Sequence, residues 1–162
     1  MDFYSPSLLD KLLGQDALGR DGAACRYTVE QIKDSVARDI EMLLNAHAAY
    51  DASKMQSAPL AAESLLTLGL VDISSMSMAS DNDRRRITEA ICTALTHHDR
   101  RLTQIEVKVR ESVGATASLT FSIRANLVLR PNSEPVSFDA VLQPGSKRYE
   151  VSKSSQRAAA LV

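Results

Sequence analysis

Apolar residues in this chain recur at two different spacings, and the change from one to the other divides it into a helical part and a stranded part. Val29, Ile32, Val36, Ile40, Leu43 and Leu44 fall at three- and four-residue steps, the period of one helix face. Thr28 and Gln31 stand in front of them at capping-box spacing, so the pattern predicts a helix that ends at Asn45. Upstream, Leu8, Leu9, Leu12 and Leu13, with Ser7 as a cap and Gly14 as a stop, predict a short amphipathic helix, and residues 14–26 read as an aperiodic tether. Downstream, Pro59 suits a first helical turn, Leu60, Leu65, Leu66 and Leu68 supply an apolar face, and Gly69 suits a stop, which predicts a second core helix. A third core helix is expected from Asp81 and Asp83 to about Thr96, burying Ile87, Ile91, Ala94 and Leu95 and wetting Arg84, Arg85, Arg86 and Glu89.

From Ile105 the period becomes two. Ile105, Val107 and Val109 alternate with polar residues, then Leu119, Phe121, Ile123, Ala125, Leu127 and Leu129 do so over a long second strand, and Val136, Phe138, Ala140 and Leu142 over a third. Tyr149 to Val151 adds a short fourth strand. The length of the second strand suits a central position, which leaves the third or fourth as the expected free edge. Helices in one block and strands in another predict an α+β fold: three helices packed on one face of a three- to four-stranded antiparallel sheet, plus the N-terminal amphipathic helix. The expected organisation is a docking helix and tether over residues 1–26, one domain over 27–152, and a disordered tail over 153–162.

Composition narrows the function classes. The chain has 162 residues, 19 basic and 20 acidic side chains and a formal charge of −1, without the basic footprint that duplex or anionic-membrane binding needs. Nucleic acid is therefore not an expected partner. No apolar run approaches the roughly 20 residues of a membrane span, and the first residues lack a basic stretch followed by an apolar one, so a cytoplasmic protein without membrane insertion is expected. Cys25 and Cys92 show no ligand spacing and read as reduced thiols, and adjacent His97 and His98 cannot converge on one ion, so no metal or cofactor is expected. Nucleotide-cradling and nucleophile-elbow motifs are absent from the sequence. Glu63 and Asp72 are the conceivable acid/base pair of a glycoside hydrolase, but the chain has no tryptophan and few aromatics with which to build a sugar platform. The expectation is that it has no catalytic residues. An adaptor that lays its leucine helix in a partner's groove is the other alternative.

Five stretches, taken in order, carry a resemblance. They are Ser7-Leu8-Leu9-Asp10-Lys11-Leu12, residues 35–45, residues 68–74, the charged knot His98-Asp99-Arg100-Arg101-Leu102, and residues 134–139. Together they resemble the TssE family of type VI secretion baseplate subunits, relatives of contractile phage-tail wedge proteins that bear a lysozyme-like name. The likeness spans about residues 7–142. It departs at the knot, where the family usually has an aromatic residue followed by Glu-Pro-Arg. Here His98, Asp99 and Arg100 replace the aromatic, the acid and the proline, while Arg101 and Leu102 remain. The resemblance implies a helix-on-sheet scaffold, assembled at the inner membrane through the secretion machine. In that machine it joins the wedge proteins TssF and TssG and offers its sheet to the sheath proteins TssB and TssC. It implies partner binding through Asp99, Arg100, Arg101 and Leu102, to which the pattern itself adds Leu8, Leu9, Leu12 and Leu13. On this expectation Arg101 faces a partner and its loss spares the fold.

Overall fold

In the computed structural model the described residues are Tyr4, 27–50, 55, 57–62, 64–73, 76–77, 80–111, 119–129, 132–143 and 145–154. Helix α1 (Val29–Asn45) starts where the sequence indicates. The Thr28 hydroxyl accepts from the Gln31 amide, the Gln31 side chain accepts from the Thr28 amide at 2.8 Å, and Ile32, Val36, Ala37, Ile40, Leu43 and Leu44 are buried. Helix α3 (Asp81–His98) is capped by Ser80 and buries Ile87, Ile91, Ala94 and Leu95. Strands β1 (Leu102–Glu111), β2 (Leu119–Leu129), β3 (Asn132–Leu142) and β4 (Tyr149–Lys153) form an antiparallel meander in the order β1-β2-β3-β4. The fold is therefore α+β. Helix α3 packs on β1, and α1 packs on β3 and β4. Phe121, Ile123, Leu127, Phe138 and Ala140 lie almost wholly out of solvent beneath them.

Two departures from the sequence expectation have identifiable causes. β1 begins at Leu102 rather than at Ile105, because one extra residue interrupts its alternation. Thr103 stands opposite Asn126 and Glu106 opposite Arg124, a bulge at which Gln104 adopts φ 52° and its side chain accepts from Asn126 Nδ2 at 2.6 Å. The insertion returns Leu102 to the face that Val107 occupies, so both are buried. The third strand likewise begins at Asn132, earlier than its clear apolar alternation. It tolerates Pro135 because β4 pairs no further along β3 than Phe138, leaving no ladder bond for Pro135 to forfeit on that side.

The expected second core helix is not formed. In its place are a four-residue helix, α2 (Pro59–Ala62), with no buried residue, and a 3₁₀ turn at Leu65–Thr67. Leu60 and Leu65 are 85% and 83% exposed. Side chains there compete for the backbone: Ser64 Oγ donates to the Ala61 carbonyl at 2.7 Å and Thr67 Oγ1 to the Ala62 carbonyl at 2.7 Å, which ends the helix before its apolar residues can share a face. The segment is closed at its base, where the Leu70 amide donates to the Ala46 carbonyl at 2.9 Å and the Ala48 amide to the Leu70 carbonyl at 3.0 Å. Gly69 permits that closure. It has φ 114°, and a Cβ there would stand 2.3 Å from the Ala46 oxygen.

The expected N-terminal leucine helix, Cys25, Glu63 and most of the tail lie outside the described residues, although Tyr4 and Tyr27 exchange backbone hydrogen bonds at 2.9 and 2.8 Å.

Gly69→Ala should lower stability by about 1–3 kcal/mol or more, because it adds left-handed strain to a steric clash. Gly145→Ala, where nothing lies within 4 Å, should stay within about 0.5 kcal/mol of the parent. Denaturant unfolding of the two variants side by side checks this, and equal effects would remove the closure argument. A second expectation concerns Tyr149, whose ring packs beside Phe121 and whose buried hydroxyl has no hydrogen-bond partner among the described residues. Burial pushes its phenol from the ordinary 10.0 up to about 12. The fold favours the neutral phenol, so this contribution to stability is complete below about pH 10 and is lost as pH rises through about 12. Tyr149→Phe should be within about 1 kcal/mol of the parent at neutral pH and should unfold less steeply in alkali. Superimposable alkaline profiles for the two proteins would contradict it.

Candidate functional site at the helix-to-strand junction

Helix α3 ends at His98, and Asp99 turns the chain: its amide donates to the Leu95 carbonyl at 2.9 Å and its carbonyl accepts from Leu102 at 3.2 Å. The Asp99 carboxylate closes over the turn. One oxygen accepts from the Arg101 amide at 3.0 Å and from Arg101 Nε at 2.9 Å, and the other from Arg101 Nη2 at 2.7 Å. The same Nη2 reaches Asp39 on α1 at 2.6 Å. The Arg101 carbonyl also accepts from the Val128 amide at 2.8 Å, next to the end of β2. One residue therefore ties the α3–β1 corner to both α1 and the sheet.

The environment is mostly dry. Asp39, Asp99 and Arg101 side chains retain 12%, 10% and 31% of their exposure. Burial works against the charge on Arg101, but its hydrogen bonds and attraction to Asp99 and then Asp39 outweigh that, and its pKa lies above the ordinary arginine value. The guanidinium is thus a fixed cation, forked across two carboxylates in a geometry that an ammonium cannot copy.

The four residues assigned to partner binding at the knot separate. Leu102 is in the core, Asp99 is buried and occupied by Arg101, Arg101 shows solvent only part of its side chain, and Arg100 is exposed at the tip. Against the expectation that Arg101 faces a partner and its loss spares the fold stands a guanidinium that pairs with carboxylates on two elements. Sequence reasoning missed Asp39. Its signal was position: Asp39 follows Val36 by three residues and precedes Leu43 by four, which puts a carboxylate beside the core-facing stripe of α1, where it needs a partner.

Elsewhere, a hollow of about 600 Å³ opens between the end of α1, residues 70–73 with Met76, and the β3–β4 turn, with Leu44, Leu70, Ile73 and Leu142 among its walls. Asp72, exposed at its rim, is the one carboxylate among the described residues that line it. His98, one of the paired histidines, has its Nε2 at 3.0 Å from the Thr67 carbonyl, which fastens the 3₁₀ segment to the end of α3.

Two helices on one face of a four-stranded meander, with a charged knot locking the corner, define a small helix-on-sheet module whose polar cluster is built into its framework. Residues 30–132 match the family model described as baseplate wedge protein gp25, and the chain belongs to that family. The match runs from α1 to the start of β3 and includes the knot. A chain of the baseplate complex from the type VI secretion system is similar in structure, at 14% identity and a TM-score of 0.46, aligning 70% of this chain and 96% of that one. No curated protein matches the chain.

Arg101→Ala should cost about 3 kcal/mol, the lower end of the range for breaking a buried pair, because Asp99 would lose the cation forked onto it and Asp39 one of its partners, while the remaining exposure of the site admits some water. Arg101→Lys should fall between the variant and the parent. Chemical denaturation measures both, and an Arg101→Ala protein as stable as the parent would return the residue to a purely external role.

Proposed function

We propose that the protein is a structural baseplate component of a type VI secretion machine, joining the wedge proteins TssF and TssG and giving the sheath proteins TssB and TssC a sheet on which to begin. The observation that carries this reading is the match of residues 30–132 to the baseplate wedge family. The open edge of β1 supports the sheath-facing half of it. The Val128 amide bonds to the carbonyl of Arg101, the residue just before β1, so even-numbered residues of β2 face that strand, and the register then pairs them with Glu106, Lys108 and Arg110. The amides of Val107 and Val109 consequently point away from the sheet, where no described strand follows. Such an edge accepts an extended segment from another chain through its own backbone groups. β3 is interior, so of the third and fourth strands only β4 remains an edge, and β1 is the other edge and our choice for the sheath-facing one.

Wedge contact is assigned to the exposed Arg100 at the knot and to the Leu8, Leu9, Leu12 and Leu13 segment. Asp99 and Arg101 hold that corner in shape, and Leu102 anchors it from the core. The exposed Leu60 and Leu65, on a segment closed by backbone hydrogen bonds, add an apolar surface suited to the same purpose. The role is a scaffold's and needs no turnover, cofactor or metal.

Affinity purification of the tagged protein from cells carrying the machine should recover the wedge and sheath subunits. Val109→Pro, which removes an outward donor without touching the β2 ladder, should keep wedge recovery and lose sheath recovery. Normal sheath recovery by that variant would exclude the β1 edge. Failure of the parent to recover any baseplate subunit, or release of peptidoglycan by the purified protein, would exclude the scaffold reading itself.

A further inference from the structure

The two edges of this sheet are not equivalent. Just after β4 the Ser154 amide donates to the Ser137 carbonyl at 2.9 Å, and before the strand the Gln143 amide donates to the Arg148 carbonyl at 2.9 Å, so even-numbered residues carry the ladder to β3. The odd-numbered residues, Tyr149, Val151 and Lys153, turn their backbone groups outward. A bare edge would leave these groups to water or to another chain.

They are not bare. Asn45 Nδ2 donates to the Tyr149 carbonyl at 2.8 Å while Asn45 Oδ1 accepts from the Tyr149 amide at 2.9 Å, the same pair of bonds that an opposing strand residue would make. Glu41 Oε2 accepts from the Val151 amide at 2.9 Å. Further along, Lys153 Nζ lies 2.7 Å from Asp34 and 3.3 Å from Glu30. Glu30, Asp34, Glu41 and Asn45 follow one another at helical spacing, with buried Ala37 between them, so a single stripe of α1 runs along the whole of β4. Asn45 Nδ2 also donates to the Glu41 carbonyl at 2.9 Å, which holds the amide in place.

We propose that Asn45 and Glu41 are an edge guard: they occupy the amide and carbonyl of Tyr149 and the amide of Val151 in place of a strand, so that another chain can extend the sheet at β1 alone. The guard gives the module a direction. Copies cannot stack β4 against β1 into an open-ended chain, because one half of that contact is already filled from within the same molecule. An added strand at β4 would first have to displace the three hydrogen bonds from α1.

The test uses the purified protein alone and does not depend on its place in a secretion machine. In the parent, hydrogen exchange should find the Tyr149 and Val151 amides protected and those of Val107 and Val109 fast. Equal rates at the two edges would overturn the proposal. The double variant N45A/E41A should still melt cooperatively and should associate as concentration rises, with at least about a two-fold increase in weight-average mass over the parent by sedimentation. Adding Val151→Pro, which removes the outward donor and leaves the β3 ladder intact, should restore the parent's mass. A double variant that folds and keeps the parent's mass at every concentration would overturn the proposal. Loss of cooperative melting would likewise overturn it, by assigning both residues to the fold.

Discussion

One apolar layer, formed where α1 and α3 lie across a single face of the sheet, decides where everything else can be. Val36, Ile40, Ile87, Ile91 and Leu95 meet Phe121, Ile123, Leu127 and Phe138 there with almost no solvent contact. Each such side chain contributes about 1.5–3 kcal/mol on burial, so even these nine outweigh any single polar cluster in the molecule. The Arg101 knot acts on a different property. Apolar contact between a helix and a sheet is non-directional and tolerates sliding, whereas a guanidinium forked between Asp99 and Asp39 fixes where the α3–β1 corner stands relative to α1. Drive comes from the layer and registration from the knot.

That division explains why the polar side of α1 is not merely solvated. Asp39 works toward the junction, while Glu41 and Asn45 work toward β4. Lys33 reaches Glu134 on β3 at 2.7 Å from the same helix. A helix laid over an edge strand has to answer for the outward N–H and C=O groups beneath it, and α1 answers with side chains. α3 does little of this for β1, where Cys92 Sγ approaches the Ile105 carbonyl at 3.7 Å.

Legibility in the sequence followed the range of the causes. α1 could be read to the residue because its capping box and its period are both local, and β2 could be read because its alternation is unbroken over its whole length. The start of β1 was hidden by one extra residue at Gln104, which shifts the parity on which strand reading depends. Residues 59–68 have the composition of an amphipathic helix, and only the Ser64 and Thr67 side-chain bonds, which composition does not reveal, turn them into an exposed 3₁₀ segment. The knot stood out as a dense charged run and by resemblance, but its pairing with α1 did not. Arg101 finds Asp39 across 62 positions, and no local pattern announces such a pairing. The same holds for Asn45 and Tyr149, which looked like a helix end and the beginning of a strand.

The Asn45–Tyr149 pair joins residues 104 positions apart, and that separation bears on how the chain is made. The meander is built from neighbours: β2 finds β1 and β3 through short connections, a low-cost search. α1 is different, since Asn45 leaves the ribosome 104 residues ahead of its β4 partner Tyr149. Until then its apolar stripe and its polar latch have no strand to receive them, and the emerging sheet carries two open edges instead of one. Domains form as units while synthesis proceeds at about 5–20 residues per second, so this interval lasts several seconds, long on the scale of hairpin formation. Of the four strands the last to be translated is therefore the one that α1 guards, and a nascent chain stalled before residue 149 would expose the edge of β3 as well as that of β1.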